Sequence, residues 1–268
     1  MPTESFDTTT RFTPPTPLQD DGLICGFHLP RDGPLREIRF SEVSEALEEP
    51  GSVTWLHFNL AHAGTWRRIT HAQLLPENLC ETIERHDERC RIEPAGDGLI
   101  AVIHDLTFEK DSDPSEVATL WLYATQCLLI SARRHPLKTA DDLRSAVRGG
   151  LRAESGIDLM AQLFELRMEA LRQLVEEINE QVDDIEDKVL RGRVTEQREE
   201  LGRIRRICAR LRRSFAPERI ALQRMLARPH SALGERVSGW LRTVSDDLAF
   251  LTDEVTALQE RAKLLQEE

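Results

Sequence analysis

The spacing of apolar residues changes partway along the chain. Between residue 22 and about residue 134 they come in short runs of strand length, at 23–29, 53–60, 99–106, 116–123 and 127–133. Runs of this kind, bounded by turn residues, predict strands buried in a sheet. Residues 35–40 form a weaker candidate. Gly96-Asp97-Gly98 predicts a hairpin turn just before Leu99. Short helices are predicted between strands: 41–48 capped by Ser41, 65–71 opening on Thr65, and 76–86 with Pro76 near its start, where a missing N–H costs little. Strands mixed with helices predict an α/β or α+β mixed-sheet domain over residues 22–150.

From about residue 136 the period lengthens. Thr139 is placed to cap a helix over 140–147 that Gly149-Gly150 ends. Leu159, Leu163, Leu166, Ala170, Leu174, Ile178, Val182, Ile185 and Val189 then recur at steps of three or four, so they share one helix face. Gly192 and Thr195 mark a turn. A second run follows at Leu201, Ile204, Cys208, Leu211 and Phe215, after which Pro217 either kinks the helix or separates two. Pro229 and Gly234 mark another break. The last run, Leu241, Val244, Leu248, Leu251, Val255, Leu258, Ala262 and Leu265, alternates steps of three and four over three heptads. It predicts a helix packed against others along its length. No glycine or proline closes it, and Glu267-Glu268 lie at the unfavourable end of the macrodipole, so the helix is expected to continue past Glu268. Residues 151–268 thus read as a stalk of long antiparallel helices.

Charge narrows the function. The net charge is -12, with 16 Lys and Arg against 25 Asp and Glu in residues 1–155. Non-specific nucleic-acid affinity comes from neutralising phosphates, so this balance opposes a nucleic-acid partner and favours cations. Ten arginines crowd residues 191–219 beside four acidic residues; carboxylates at helical spacing or across helices are their expected partners. The five cysteines are scattered and odd in number, which predicts reduced thiols in a cytoplasmic setting. Residues 1–21, with Pro14, Pro15 and Pro17 among threonines, predict a disordered tail. No apolar run is long enough to span a bilayer.

The order of parts, a mixed sheet followed by long helices, resembles the CorA family of divalent metal-ion transporters, and more closely its zinc-transporting ZntB branch. Two segments carry the resemblance: Trp55-Leu56-His57-Phe58-Asn59-Leu60 with Thr65-Trp66, and Leu211-Arg212-Arg213-Ser214-Phe215-Ala216-Pro217-Glu218-Arg219. Val182-Asp183-Asp184-Ile185-Glu186-Asp187 and Leu201 with Arg205-Arg206 also fit. Arg212, Arg213, Pro217 and Arg219 are the signature positions of the helical part. The resemblance implies the cytoplasmic domain of a funnel-shaped homopentamer at the bacterial inner membrane, with two membrane helices beyond residue 268 and a Gly-Met-Asn signature after the first. It implies transported or sensed Zn2+ or Mg2+ and no covalent cofactor.

Several groups are candidates for handling a cation. Asp246, Asp247, Asp253 and Glu254 lie among the last heptads, where residues 235–268 hold four basic and eight acidic groups. Repeated around an axis they would form rings of negative charge; in a single chain they read as a solvated helix face. Glu109, Asp111, Asp113 and Glu116 form an acidic stretch without calcium-loop spacing. Cys80, His86 and Cys90 cluster in sequence, and His86 and Cys90 share a face if the helix continues through them. No C-x-x-C or H-E-x-x-H motif supports zinc there, and a structural role is the default reading for them and for His57 and His62. No phosphate loop, nucleophile elbow or paired-acid motif is present, and His104-Asp105 point apart on a strand. The chain is therefore expected not to be an enzyme; a zinc enzyme using Cys80, His86 or Cys90 is the least supported reading. A soluble coiled-coil interaction protein with an α/β head remains the alternative to a transporter domain.

Overall fold

A computed structural model describes residues 22–107, 116–190, 197–227 and 234–267. The expected tail, most of the acidic stretch after residue 107, and the turn markers Gly192, Thr195 and Pro229 lie outside them. Seven strands form one sheet in the order β2-β1-β3-β7-β6-β5-β4. They are β1 (Leu23–Leu29), β2 (Arg36–Glu37), β3 (Val53–Asn59), β4 (Arg91–Ala95), β5 (Gly98–Leu106), β6 (Val117–Ala124) and β7 (Leu128–Arg133). Every pairing is antiparallel except β3 with β7, so the sheet is mixed.

The continuous apolar runs have a physical reason: both faces of the sheet are covered. One face carries Leu56, Phe58, Ile100, Val102, Trp121 and Ile130 against three short helices, α1 (Val43–Glu48), α2 (Thr65–His71) and α3 (Glu77–Glu84). The other carries Phe27, Trp55, Leu99, Ala101, Ile103 and Leu129 against α4 (Lys138–Arg148) and α5 (Gly156–Leu190). Gly96 takes φ +62 in the two-residue turn that pairs Ala95 with Gly98. β4 was not anticipated. It contains Pro94 and only Ile92 as a large apolar residue, and it survives because it is an edge strand.

Local capping differs from the sequence reading in instructive ways. Ser41 does not cap α1; it lies within a 3-10 turn, Phe40–Glu42, that precedes it. Only Arg36–Glu37 of the weak 35–40 candidate pairs as a strand. α2 does open on Thr65, as expected, and the Thr65 hydroxyl donates to the Asn59 carbonyl at 2.7 Å. Pro76 occupies the cap position of α3 rather than its first turn. Thr139 lies inside α4. The cap comes from across the chain: Asp105 accepts the Thr139 N–H at 3.1 Å and its hydroxyl at 2.5 Å.

Three long helices complete the chain: α5, α6 (Arg198–Leu226) and α7 (Gly234–Glu267). Contacts advance together along α5 and α7, Arg172 with Asp247 and then Asp183 with Arg261, so those two run parallel. α6 returns antiparallel, with Arg167 meeting Glu218 and Gln181 meeting Arg203. α6 continues unbroken through Pro217, which lies on its exposed face between buried Phe215 and Glu218. α5 buries more than its predicted stripe. Met160, Phe164, Met168, Leu171 and Val175 are also buried, because α5 lies between the sheet and the other two helices.

At the junction of sheet and stalk sits a buried ion pair. The Arg167 guanidinium donates to both Glu218 carboxylate oxygens, at 2.7 and 2.8 Å, and its Nε donates to the His104 carbonyl at 2.8 Å. The side chains are 1% and 0% exposed. Burial holds the Glu218 carboxyl above its ordinary range, and the adjoining guanidinium offsets only part of that rise. Removing one partner leaves a desolvated charge, which costs about 3–5 kcal/mol, whereas replacing both by apolar groups is often neutral. We therefore expect Arg167→Met and Glu218→Leu each to lower unfolding free energy by about that amount in urea titrations, and the double variant to regain most of it.

Candidate functional site

α7 has two faces. All eight residues of its predicted stripe are buried, from Leu241 at 2% exposure to Leu265 at 9%. They pack on α5 and α6 of the same chain. A second stripe, offset from the first, faces outward: Asp246, Phe250, Asp253, Ala257, Glu260 and Leu264 are all exposed. Phe250 and Leu264 are 60% and 62% exposed, high values for large apolar side chains. Asp246 and Asp253 lie one heptad apart, about 10 Å along the axis. Neither makes an ion pair among the described residues.

The other two acidic candidates are placed differently. Asp247 accepts from Arg172 of α5 at 2.9 Å, and Arg172 also holds Glu169 at 2.7 Å. Glu254 lines the groove between α5 and α7 beside Glu176, Asn179, Phe250 and Arg261. Arg261 in turn binds Asp183 at 2.6 Å and also Glu186. The four candidates therefore divide: Asp246 and Asp253 face out, while Asp247 and Glu254 turn toward α5.

The cysteine and histidine candidates are not brought together. α3 ends at Glu84 and His86 takes φ +53, so the helix does not continue and His86 and Cys90 share no face. His86 Nδ1 faces Arg134 at 2.8 Å. Cys90 instead meets His104 Nδ1 at 3.3 Å. Burial pushes the Cys90 thiol up to about 12 and also raises Cys80, so both thiols are protonated at neutral pH in the metal-free chain. Among the described residues no three His, Cys, Asp or Glu side chains converge as a metal site. Of the acidic stretch only Glu116 is described, and its carbonyl accepts from Thr107.

His57 belongs to a buried polar chain inside the core. Trp55 Nε1 donates to Ser131 Oγ at 2.8 Å, His57 Nδ1 lies 2.7 Å from the same hydroxyl, and Arg133 Nε donates to His57 Nε2 at 3.2 Å. An acceptor at Nε2 requires the neutral imidazole with its proton on Nδ1. Arg212, Arg213 and Pro217 are exposed and Arg219 is half-buried. The buried member of that segment is Glu218, which sequence reasoning passed over. The partners of Arg203 and Arg205 are the amides of Gln181 and Gln266 rather than the expected carboxylates.

A mixed sheet covered on both faces and continued by three long helices is a fold this chain shares with solved soluble domains of ZntB and CorA. The crystal structure of the ZntB cytoplasmic domain from Vibrio parahaemolyticus RIMD 2210633 superposes with a TM-score of 0.73 at 13% identity, covering 92% of this chain and 96% of that one. The soluble domain of CorA from Methanocaldococcus jannaschii gives 0.72 at 14% identity, covering 92% and 96%. The full-length CmaX protein gives 0.83 at 22% identity, covering 92% of this chain and 76% of that one. The chain belongs to the CorA-like Mg2+ transporter protein family, whose model matches residues 50–268. Among curated relatives it is 22% identical to the zinc transport protein ZntB of Yersinia enterocolitica over 255 residues, covering 90% of this chain and 76% of that protein. ZntB of Pectobacterium carotovorum is also 22% identical, over 91% of this chain and 78% of the relative. Among the described residues no helix is long and apolar enough to cross a membrane.

The His57 chain gives a pH prediction. Burial, and then the Arg133 charge, lower its pKa from 6.5 to about 3. Between those values the unfolded chain takes up a proton that the folded chain refuses. Stability is therefore expected to fall as pH drops through this window, by up to about 1.4 kcal/mol per pH unit from this group. Urea unfolding of the wild type and His57→Gln at several pH values should show a shallower slope in the variant.

Proposed function

We propose that this chain forms the cytoplasmic funnel of a homopentameric divalent-cation transporter, delivering zinc or magnesium to a pore at the inner membrane. The outward stripe of α7 carries this reading. Five copies around an axis parallel to α7 would turn Asp246 and Asp253 into two rings of carboxylates about 10 Å apart, separated by Phe250. Such rings concentrate cations electrostatically. A cation bound there would draw its oxygen ligands from several copies, which hard cations accept readily. Family membership and the ZntB relatives support transport; zinc as cargo rests on those relatives.

The alternative of a coiled-coil interaction protein draws on the heptads of α7. Those heptads are consumed inside the chain by α5 and α6, which leaves the outward stripe, part carboxylate and part apolar, as the free surface.

The test is metal uptake by the chain together with its membrane part, reconstituted in liposomes. Asp246→Asn and Asp253→Asn are expected to lower initial zinc uptake by about tenfold at low ionic strength, with a smaller effect at high salt. Uptake unchanged in the double variant would remove the role of the rings. No uptake of any divalent cation by the wild type would remove transport itself.

A further inference from the structure

The groove between α6 and α7 is walled by arginine. Arg205, Arg206, Arg210 and Arg213 line it from α6, Gln259 and Gln266 line it from α7, and among the described residues no carboxylate lines it. Its volume is about 580 Å³. Arg205 meets the neutral Oε1 of Gln266 at 2.5 Å. Arg206 and Arg213 are exposed and make no ion pair among the described residues. Gln259 Oε1 is buried in the groove wall without a donor. The Arg206 and Arg213 guanidiniums share one groove and repel one another unless an anionic surface joins them, and in a chain of net charge -12 this local positive charge stands out.

The complementary surface lies on the same chain. Glu176, Glu177, Glu180 and Asp184 stand exposed along α5. None has an ion pair among the described residues. The two charged surfaces flank the same turns of α7. Gln259 and Gln266 line the arginine groove, while Arg261, between them in sequence, binds Asp183 and Glu186 of α5. With about 3.6 residues per turn, Gln259 and Gln266 leave α7 on the opposite flank from Glu254 and Arg261. The outward stripe with Phe250 and Leu264 runs between the flanks.

We propose that the arginine groove of one copy receives the α5 carboxylate ridge of a second copy. This is a head-to-tail contact, which closes into a ring when the rotation between copies permits. A rotation about an axis parallel to α7 leaves heights unchanged, so arginines and carboxylates that flank the same turns of α7 meet at one level. The same rotation turns the outward stripe toward the axis. The inference rests on the self-assembling reading above and adds which two surfaces hold the ring together.

Sedimentation equilibrium of the 268-residue chain tests it, using Arg206→Glu/Arg213→Glu, Glu177→Arg/Glu180→Arg and the variant carrying all four changes. Each double variant is expected to weaken self-association by about tenfold or more, and the fourfold variant to recover it to within about threefold. Raising the salt concentration should weaken the wild type in the same way. Circular dichroism melts confirm folding, and recovery in the fourfold variant excludes a folding defect as the cause. A wild type that self-associates but is unmoved by either double variant overturns this pairing and leaves self-assembly standing. Loss without recovery in the fourfold variant also overturns it. So does a wild type that stays monomeric, and if that monomer binds inorganic tripolyphosphate through Arg206 and Arg213, the groove serves a small polyanion. In either monomeric case, uptake by the chain with its membrane part still decides the transport reading.

Discussion

The guanidinium of Arg167 holds three elements at once. It grips both oxygens of Glu218 on α6 and the carbonyl of His104 on β5, while its own backbone belongs to α5. Stripping two charges of water is costly, and only near-complete hydrogen bonding offsets it. That requirement makes the arrangement exacting: a shift of α6 or of the sheet by even one ångström would leave a buried charge unsatisfied. The ion pair therefore fixes where the stalk leaves the sheet more than it adds to stability.

From that junction the architecture follows along α5. One side of α5 continues the sheet's core through Leu159, Leu163 and Phe164, and the other accepts α6 and α7. Because α5 is buried on two sides, it transmits the orientation of the sheet to α7 without a flexible link. Trp240 of α7 packs edge-on against Phe164 at 5.3 Å, close to the start of both helices. α7 then spends one face on this contact and keeps the other free. The two grooves beside it differ in charge because α6 lines one with arginines, while in the other Arg172 and Glu176 of α5 face Glu254 and Arg261 of α7.

The buried polar groups share a logic. Asp105 caps α4 through Thr139, and His57 sits neutral between Ser131 and Arg133. Each lies where a strand meets a helix or a neighbouring strand, and each is paired with an element distant in sequence. Such groups specify one docking arrangement among several that apolar contact alone would tolerate.

Much of this was legible from spacing. The strand runs were placed to within a residue or two, and the eight-residue stripe of α7 is buried as its three-four rhythm required. What the sequence by itself determined is periodicity, since side-chain geometry on a helix or strand is set locally. Periodicity also held an overlooked signal: Glu218 continues the rhythm of Leu211 and Phe215, so a charge on a core stripe called for a buried partner. Only the tertiary structure could name that partner as Arg167, 51 residues away. It alone separated Asp246 and Asp253, which face outward, from Asp247 and Glu254, which turn to α5. It also divided His86 from Cys90, because a helix that stops at Glu84 reverses the chain where the spacing invited continuation. The reason is the same in each case: which carboxylate is free depends on which cation another helix brings to it, and no local pattern records that.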